Sequence, residues 1–241
     1  MVLDKILEDP PKIHYDSVGN LVSYSLAIDS LNFINIYVDE IHSTLETGAG
    51  ISTILFAGKS SKHTCIVPSR QQVENIKKYC SNQNIDYSNI TFIINRSEDE
   101  LPNLEIEGLD FVLIDGRHAF PSPFIDWYYI SPRLRIDGLL MIDDTQLWTG
   151  QVLRDFLKEE PEWEQFKEFP RTSIFRKIKK VDHGRSWLYQ PYVEKRSSLY
   201  ASGWRHRKIL SRIQYGLILF RTGEFRKFFT KLWGKFFDAA N

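Results

Sequence analysis

The sequence predicts an α/β fold, in which a doubly wound, mostly parallel sheet of seven strands ends in an antiparallel hairpin. Between residues 44 and 159, short apolar segments alternate with amphipathic segments of helical length. This alternation is typical of right-handed βαβ units. The last two predicted strands, 162–169 and 172–178, are separated by only two residues. So short a connection requires antiparallel pairing at one edge of the sheet.

The individual strands and helices are predicted from their own residue patterns. Residues 110–115 (DFVLID) are apolar almost throughout, as expected for a parallel strand covered on both faces. In the predicted helix 71–80, Val73, Ile76 and Tyr79 recur at helical spacing. The other predicted strands are 44–46, 63–67, 91–95 and 138–143, and the other predicted helices are 52–59, 124–134 and 149–159.

The charge distribution divides the chain. Residues 1–175 contain 15 Lys and Arg against 27 Asp and Glu, whereas residues 176–241 contain 16 against 4, so a net charge of zero hides an acidic body and a basic tail. We therefore predict an N-terminal lid or helical segment over 1–40, a ligand-binding domain over 41–180 and a basic helical extension over 181–241.

Composition narrows the class of protein. A chain of 241 residues with 42% hydrophobic residues can bury a large core, and no apolar run reaches the ~18 residues of a transmembrane helix. The N-terminus lacks the pattern of a signal peptide. Cys65 and Cys80 are too few for a disulfide framework or a zinc site. We expect a cytoplasmic protein, with the inner face of a membrane as the alternative.

The stretch TLETGAG (44–50) predicts a ligand-binding turn. Gly48 and Gly50, with Ala49 between them, allow a tight strand-to-helix turn and a ligand close to the backbone. Ser52 is predicted to cap the following helix, whose N–H groups would face the ligand, and Glu46 can accept hydrogen bonds from it. The third glycine of a dinucleotide fingerprint is replaced by Thr53.

Polar residues follow four of the predicted strands, and the carboxyl ends of parallel strands are where such sheets bind ligands. Asp115 and the pair Asp143 and Asp144 end two strands expected to be neighbours. Three carboxylates in one crevice repel each other unless a counter-charge is present. Hard oxygen ligands in this number favour Mg²⁺ or Mn²⁺ over zinc. We therefore predict a divalent metal site formed by these three residues.

The ordered motifs LETGAG, RSEDELP (96–102), LDFVLIDGRH (109–118) and LRIDGLLMIDD (134–144) resemble those of class I S-adenosylmethionine-dependent methyltransferases. The resemblance covers residues 43–179 and implies a Rossmann-like fold with S-adenosylmethionine as cofactor. It also implies that Glu46, Gly48 and Gly50 hold the methionine part, while Ser97 and Glu98 meet the adenine.

The chain departs from this family at two points. The acid that usually grips the ribose at the end of the second strand is absent from IVPS (66–69), which leaves Ser69, the backbone or water. The usual glycine pair before the fifth strand is Asp137-Gly138.

Within this family, the acidic residues resemble those of the macrocin-type sugar O-methyltransferases and the related cephalosporin hydroxylase group. That resemblance implies that Asp115, Asp143 and Asp144 bind the metal and that His118 is the base. In the implied reaction, the cation lowers the pKa of a substrate hydroxyl and His118 takes its proton. The oxygen then attacks the sulfonium methyl. Asp115 could instead only touch the cofactor.

The acceptor is predicted to be a hydroxyl on a small molecule or sugar. The segment DDTQ (143–146) lacks the Asn/Asp-Pro-Pro-aromatic motif of enzymes that methylate base amino groups, so oxygen is favoured. Arg117, Thr145 and Gln146 are candidate acceptor contacts. The alternatives are a metal-dependent hydroxylase or hydrolase using the same three acids, and a cofactor-binding scaffold without turnover.

The basic tail has a separate signal. Seven apolar residues between Phe225 and Phe237 recur at helical spacing, with Lys and Arg on the other side. This pattern is typical of a helix packed on the acidic body or in a homodimer, or of a helix lying on anionic lipid. No nucleic-acid partner is expected, because the basic residues alternate with an apolar face.

Overall fold

The computed structural model describes residues 1–24 and 26–198, and it divides the chain into two compact units, 1–184 and 185–241. In the second unit, the described part contains a short 3-10 helix, Trp187–Tyr189, and a helical turn over residues 191–198. The predicted amphipathic stripe of the tail lies outside the described residues. Among the described residues, no helix is both long and apolar enough to cross a membrane.

The first unit is built on a seven-stranded sheet, as predicted. Its strands in chain order are β3 (Ser43–Thr47), β4 (Lys62–Ile66), β5 (Ile90–Ile93), β6 (Leu109–Ile114), β7 (Leu134–Ile142), β8 (Trp163–Glu168) and β9 (Ser173–Lys177). Their order across the sheet is β5-β4-β3-β6-β7-β9-β8. The first five are parallel, and β9 pairs antiparallel with both β7 and β8. The mostly parallel sheet and its terminal hairpin are therefore confirmed.

Helices cover both sides of this sheet. They are α3 (Ile51–Ala57), α4 (Arg70–Asn82), α5 (Ser97–Glu100), α6 (Ser122–Ile130) and α7 (Trp148–Glu159), with a 3-10 helix at Leu101–Asn103. Every residue of α3 is buried. Each large side chain buried in this way contributes about 1.5–3 kcal/mol relative to its exposed state. The central position of α3 therefore fixes the turn that precedes it.

An N-terminal segment packs before the sheet. It contains α1 (Val2–Glu8), a two-stranded hairpin of β1 (His14–Tyr15) and β2 (Leu21–Val22), and α2 (Ile28–Tyr37). The Asn75 side chain on α4 donates to the Ile13 carbonyl at 3.0 Å, and the Tyr79 hydroxyl donates to the Asp9 carbonyl at 2.8 Å. These contacts fasten the hairpin and α1 to the body of the unit.

The main boundary error concerns the helix predicted over 124–134. The structure ends α6 at Ile130 and begins β7 at Leu134, four residues before the predicted strand. Pro132 has no N–H to donate to the Tyr128 carbonyl, so the helical ladder cannot continue through it. The short helix α5 was not predicted from the sequence.

Candidate functional site

A cavity of about 650 Å³ opens at the carboxyl ends of the parallel strands, within the usual size range of ligand pockets. The sequence-predicted residues that line it are Gly48, Ala49, Gly50, Ser52, Ser97, Glu98, Asp115, Arg117, His118, Asp143 and Asp144. Most of the predicted positions are therefore brought together. We refer to this space as the strand-end cavity.

Gly48 occupies a position that only glycine can fill. Its φ is +89°, and a Cβ built there would lie 2.2 Å from the carbonyl oxygen of Asp115. Its N–H donates to the Ile66 carbonyl at 2.9 Å, which joins the turn to the end of β4. Gly48 therefore lets three strand ends meet closely at the cavity wall.

Glu46 lies below the turn and is not among the residues that line the cavity. Its side chain is 1% exposed. Its carboxylate accepts hydrogen bonds from the Ser52 hydroxyl at 2.7 Å and from the Thr53 hydroxyl, and His63 Nε2 lies 3.2 Å away. Each carboxylate oxygen thus accepts a hydrogen bond from the protein.

The predicted cap at Ser52 is wrong. The helix α3 begins after Gly50, and Ser52 is its second residue, with its hydroxyl turned to Glu46. The hydroxyl of Thr53 accepts the Gly50 N–H at 3.0 Å. Thr53 therefore makes the capping contact from inside the helix, at the position that the third glycine of a dinucleotide fingerprint would occupy.

His118 and Asp144 lie within hydrogen-bond distance of each other in the cavity wall. His118 Nε2 lies 3.1 Å from Asp144 Oδ2, and the other Asp144 oxygen accepts from Arg171 Nη2 at 2.7 Å and from Gln146 Nε2 at 2.6 Å. Asp144 adopts a φ of +52°, which turns its side chain away from the direction set by β7. Arg171, in the turn of the β8–β9 hairpin, was not singled out from the sequence.

The ligand atoms that come together differ from the predicted metal set. Asp115, His118 and Asp144 offer atoms that all lie within 4.8 Å of one another, and this is a group that could hold a metal ion. The Asp143 carboxylate instead accepts a hydrogen bond from the Thr172 hydroxyl at 2.5 Å and is buried. Successive side chains at a strand end point in different directions, so Asp143 and Asp144 do not face the same point.

Burial and mutual repulsion raise the pKa of two acids of the site, while hydrogen bonds lower the pKa of a third. Burial, with the charges of Asp143, Glu46 and Asp144, raises the pKa of Asp115 well above its usual value. Burial also raises the pKa of Asp143. For Asp144, burial opposes ionisation, but the hydrogen bonds from Arg171 and Gln146 prevail and lower its pKa. The site therefore keeps Asp144 charged beside His118.

A further acid, Asp126 on α6, was missed in the sequence. It is 1% exposed, and its Oδ2 accepts the Thr47 hydroxyl at 2.8 Å. Burial raises its pKa to about 6, against hydrogen bonds from Ser97 and Thr47 that lower it. Because it touches the end of β3 and the first residue of α5, Asp126 ties two walls of the cavity together. Nothing in the sequence of α6 indicates that Asp126 has this role.

The remaining residues that were predicted to contact the acceptor or the ribose lie in different parts of the site. Thr145 is buried, and Gln146 is engaged with Asp144. Arg117 Nη1 lies 3.7 Å from Glu98 Oε1, across the mouth of the cavity. Ser69 caps α4 by accepting the Gln72 N–H at 3.3 Å. Gln72 lines the cavity, whereas Ser69 does not.

The N-terminal hairpin also contributes to the cavity. His14 and Tyr24 line it, with ring centroids 5.5 Å apart. His14 Nε2 lies 3.0 Å from the Ala49 carbonyl, which joins the hairpin to the glycine turn. The segment predicted as a lid therefore supplies side chains to the wall, and neither residue had a signal in the sequence.

Residues 45–145 match the sequence model of a family described as a methyltransferase domain. A search of curated protein sequences gave no match. Many solved structures share the fold. The O-methyltransferase TomG from Streptomyces achromogenes, in complex with SAM, has a TM-score of 0.50 and 13% identity, over 64% of this chain and 82% of that chain.

Two further structures show the same fold. One, from Staphylococcus aureus, is assigned as a caffeoyl-CoA O-methyltransferase, with a TM-score of 0.54 and 17% identity over 64% of this chain and 86% of that chain. The other, from Clostridium thermocellum, is assigned as an rRNA methylase, with a TM-score of 0.53 and 14% identity over 65% of this chain and all (100%) of that chain. Residues 45–145 therefore resemble a methyltransferase domain in sequence, and the sheet to which they belong has the fold of these solved structures.

Proposed function

We propose that the protein binds S-adenosylmethionine in the strand-end cavity and transfers its methyl group to a hydroxyl oxygen of a small molecule or sugar. The observation that carries this proposal is the pair of His118 and Asp144 at the cavity mouth, with 3.1 Å between Nε2 and Oδ2. TomG and the protein from Staphylococcus aureus, described as O-methyltransferases, share the fold.

The pair has the arrangement of a general base and its orienting acid. A charged Asp144 beside Nε2 favours the tautomer of His118 with its proton on that nitrogen. The other ring nitrogen, Nδ1, then has a lone pair with which to accept a proton from a substrate hydroxyl. The side chain of His118 is 40% exposed, so a substrate can reach it. Asp144 is in turn held by Arg171, which fixes the direction of the carboxylate.

The glycine turn and α5 form the part of the cavity in which we propose that the cofactor binds. The turn at Gly48–Gly50 lines the cavity, and the buried α3 holds it in place. Ser97 and Glu98 line the wall beyond β5, where the family resemblance places the adenine. Gln72 and His14 are the polar side chains on the wall next to β4, and we propose that they replace the absent ribose-binding acid.

A divalent cation also fits part of this site. Asp115 and Asp144 are carboxylates of the kind that Mg²⁺ prefers, and His118 lies within the same group of ligand atoms. We propose that these three residues, with Asp143 behind them, would hold the cation, whose chemistry is to lower the pKa of the substrate hydroxyl. A neutral His118 that binds a metal through Nε2 carries its proton on Nδ1, so metal ligation and the base role described above are alternatives for this residue.

Calorimetric titration of the full chain with S-adenosylmethionine, with and without Mg²⁺, tests these proposals. We expect 1:1 binding in the micromolar range, and binding of Mg²⁺ to the wild type but not to an Asp115→Asn/Asp144→Asn variant. Absence of heat and of a thermal shift with the cofactor would contradict methyl transfer, whereas equal Mg²⁺ binding by both proteins would contradict only the metal site.

Methyl transfer to a set of hydroxylated small molecules and sugars then tests the base. Replacing His118 by Gln should lower the rate by about 10²–10⁴-fold, the usual contribution of a general base. The affinity for S-adenosylmethionine should stay within about twofold, because the proposed proton transfer does not involve the cofactor. A loss of cofactor affinity with an unchanged turnover rate would place His118 in the cofactor site instead.

A further inference from the structure

An exposed apolar patch flanks the pair of His118 and Asp144, and no step of the proposed reaction uses it. Phe120 is 63% exposed, Trp148 is 65% exposed and Leu147 is 41% exposed. The ring centroids of Phe120 and Trp148 lie 6.1 Å apart, within the range of interacting aromatic side chains. We call these three residues the aromatic shelf.

The shelf is held in position from both sides of the pair. Phe120 follows His118 by two residues, and the Thr149 hydroxyl donates to the His118 carbonyl at 2.5 Å. Leu147 donates its N–H to the Asp144 carbonyl at 2.9 Å. A Cβ at Gly150 would meet that same carbonyl oxygen at 2.7 Å, so the start of α7 packs closely on the Asp144 loop. The backbone segments that carry the two rings are therefore held close to His118.

We propose that Phe120 and Trp148 form the acceptor-binding subsite, on which a hydroxylated ring lies with its flat apolar face against the two aromatic side chains. This inference rests on the proposed methyl transfer and names the class of its acceptor. Both an aromatic phenol and a pyranose sugar present such a face, together with a hydroxyl at the ring edge. A ring on the shelf places that edge beside His118.

The size of the shelf favours a small molecule over a protein partner. A fully buried aromatic side chain covers about 150–250 Å², so two partly exposed rings and one leucine offer well below the ~800 Å² that each partner of a stable protein complex buries.

The test uses the full chain saturated with S-adenosylhomocysteine, which occupies the cofactor site without turnover. Binding of two ring probes, catechol and methyl β-D-glucopyranoside, is measured by saturation-transfer NMR and by titration. We expect at least one probe to bind the wild type, and its affinity to fall at least tenfold in a Phe120→Ala/Trp148→Ala variant. The probe that binds identifies the acceptor as phenolic or as a sugar.

Two further variants make the result specific. Trp148→Phe keeps a ring on the shelf and should retain affinity within about threefold, which a merely structural role for the indole would not predict. Ile41→Ala removes an exposed apolar side chain (81% exposed) just before β3, at the amino-terminal end of that strand, and should bind like the wild type. Thermal unfolding shows whether each variant is folded.

Three outcomes would overturn the inference. They are the failure of both probes to bind the wild type, unchanged probe affinity in the double variant, and a wild-type dimer that the double variant converts to a monomer. The last would assign the shelf to a subunit interface. Failure of S-adenosylhomocysteine itself to bind would instead contradict the proposed function, so the two proposals fail separately.

Discussion

Replacing Asp126 by Asn should change how the stability of the protein depends on pH. The carboxyl is 1% exposed, and burial raises its pKa from 3.8 to about 6. Because the folded state holds this proton more tightly than the unfolded state, protonation stabilises the fold. That contribution is fully present below about pH 4 and is lost as pH rises through about 6.

The size of the effect follows from the shift. A difference of about two pKa units corresponds to about 3 kcal/mol, at roughly 1.4 kcal/mol per unit. Ionised Asp126 therefore costs the folded state up to about 3 kcal/mol at pH 7. Asparagine keeps an oxygen that can accept the Thr47 hydroxyl and removes the charge, so we expect the variant to gain stability relative to the wild type between pH 4.5 and pH 7.

Urea denaturation at several pH values, followed by both fluorescence and circular dichroism, measures this difference. The other acids of the site affect both proteins alike and cancel when the two unfolding free energies are subtracted. Asp29→Asn, a change at an exposed position on α2, serves as the control. A difference between wild type and Asp126→Asn that stays constant within about 0.5 kcal/mol from pH 4.5 to 7.5 would refute a raised pKa at Asp126.

Two substitutions at the glycine turn test the architecture of the cavity. Gly48→Ala should destabilise the protein by several kcal/mol and abolish binding of S-adenosylmethionine, because its Cβ would overlap the Asp115 carbonyl at a φ of +89°. Gly50→Ala should be tolerated, since its φ of −170° suits any residue and its Cβ would lie 3.6 Å from His14; equal thermal shifts for the two variants would contradict this distinction. Glu46→Gln should cost about 1–3 kcal/mol of unfolding free energy, because an amide N–H would face hydroxyl and imidazole donors that now meet a carboxylate. Denaturation would show this cost, and an unchanged midpoint would indicate that the neighbouring hydroxyls reorient.

The fold could be predicted from the sequence because its strands are short, apolar and regularly spaced. The buried strand at 110–115 and the two-residue hairpin connection each leave few alternatives for pairing. The boundary near Pro132 was missed because Leu134 continues the helical spacing of Trp127 and Ile130, and only the missing N–H of proline separates helix from strand.

The location of the candidate site was predictable, because the carboxyl ends of the parallel strands converge at one edge of the sheet. Topology brings His118 and Asp144 together, since both follow neighbouring strands. The direction of individual side chains was not predictable. Asp143 and Asp144 are adjacent in sequence, yet one accepts a bond from Thr172 inside the sheet and the other faces His118. Contributions from the N-terminal hairpin and from Asp126 depend on tertiary packing, which no local pattern records.

Thr53 stands where a dinucleotide fingerprint has its third glycine. Its hydrogen bonds explain why Glu46, the acid of the LETGAG motif, lies below the turn. The Thr53 hydroxyl accepts the Gly50 N–H and donates to Glu46, which also holds Ser52 and faces His63. Glycine at this position could make neither contact. The turn is therefore shaped by a buried hydrogen-bond network as well as by the freedom of its glycines. Because both Glu46 oxygens accept hydrogen bonds from the protein, we expect Glu46 to act on the proposed cofactor through the positions of the Gly48–Gly50 backbone. Substitutions at Thr53, which does not line the cavity, should therefore weaken binding of S-adenosylmethionine in a calorimetric titration.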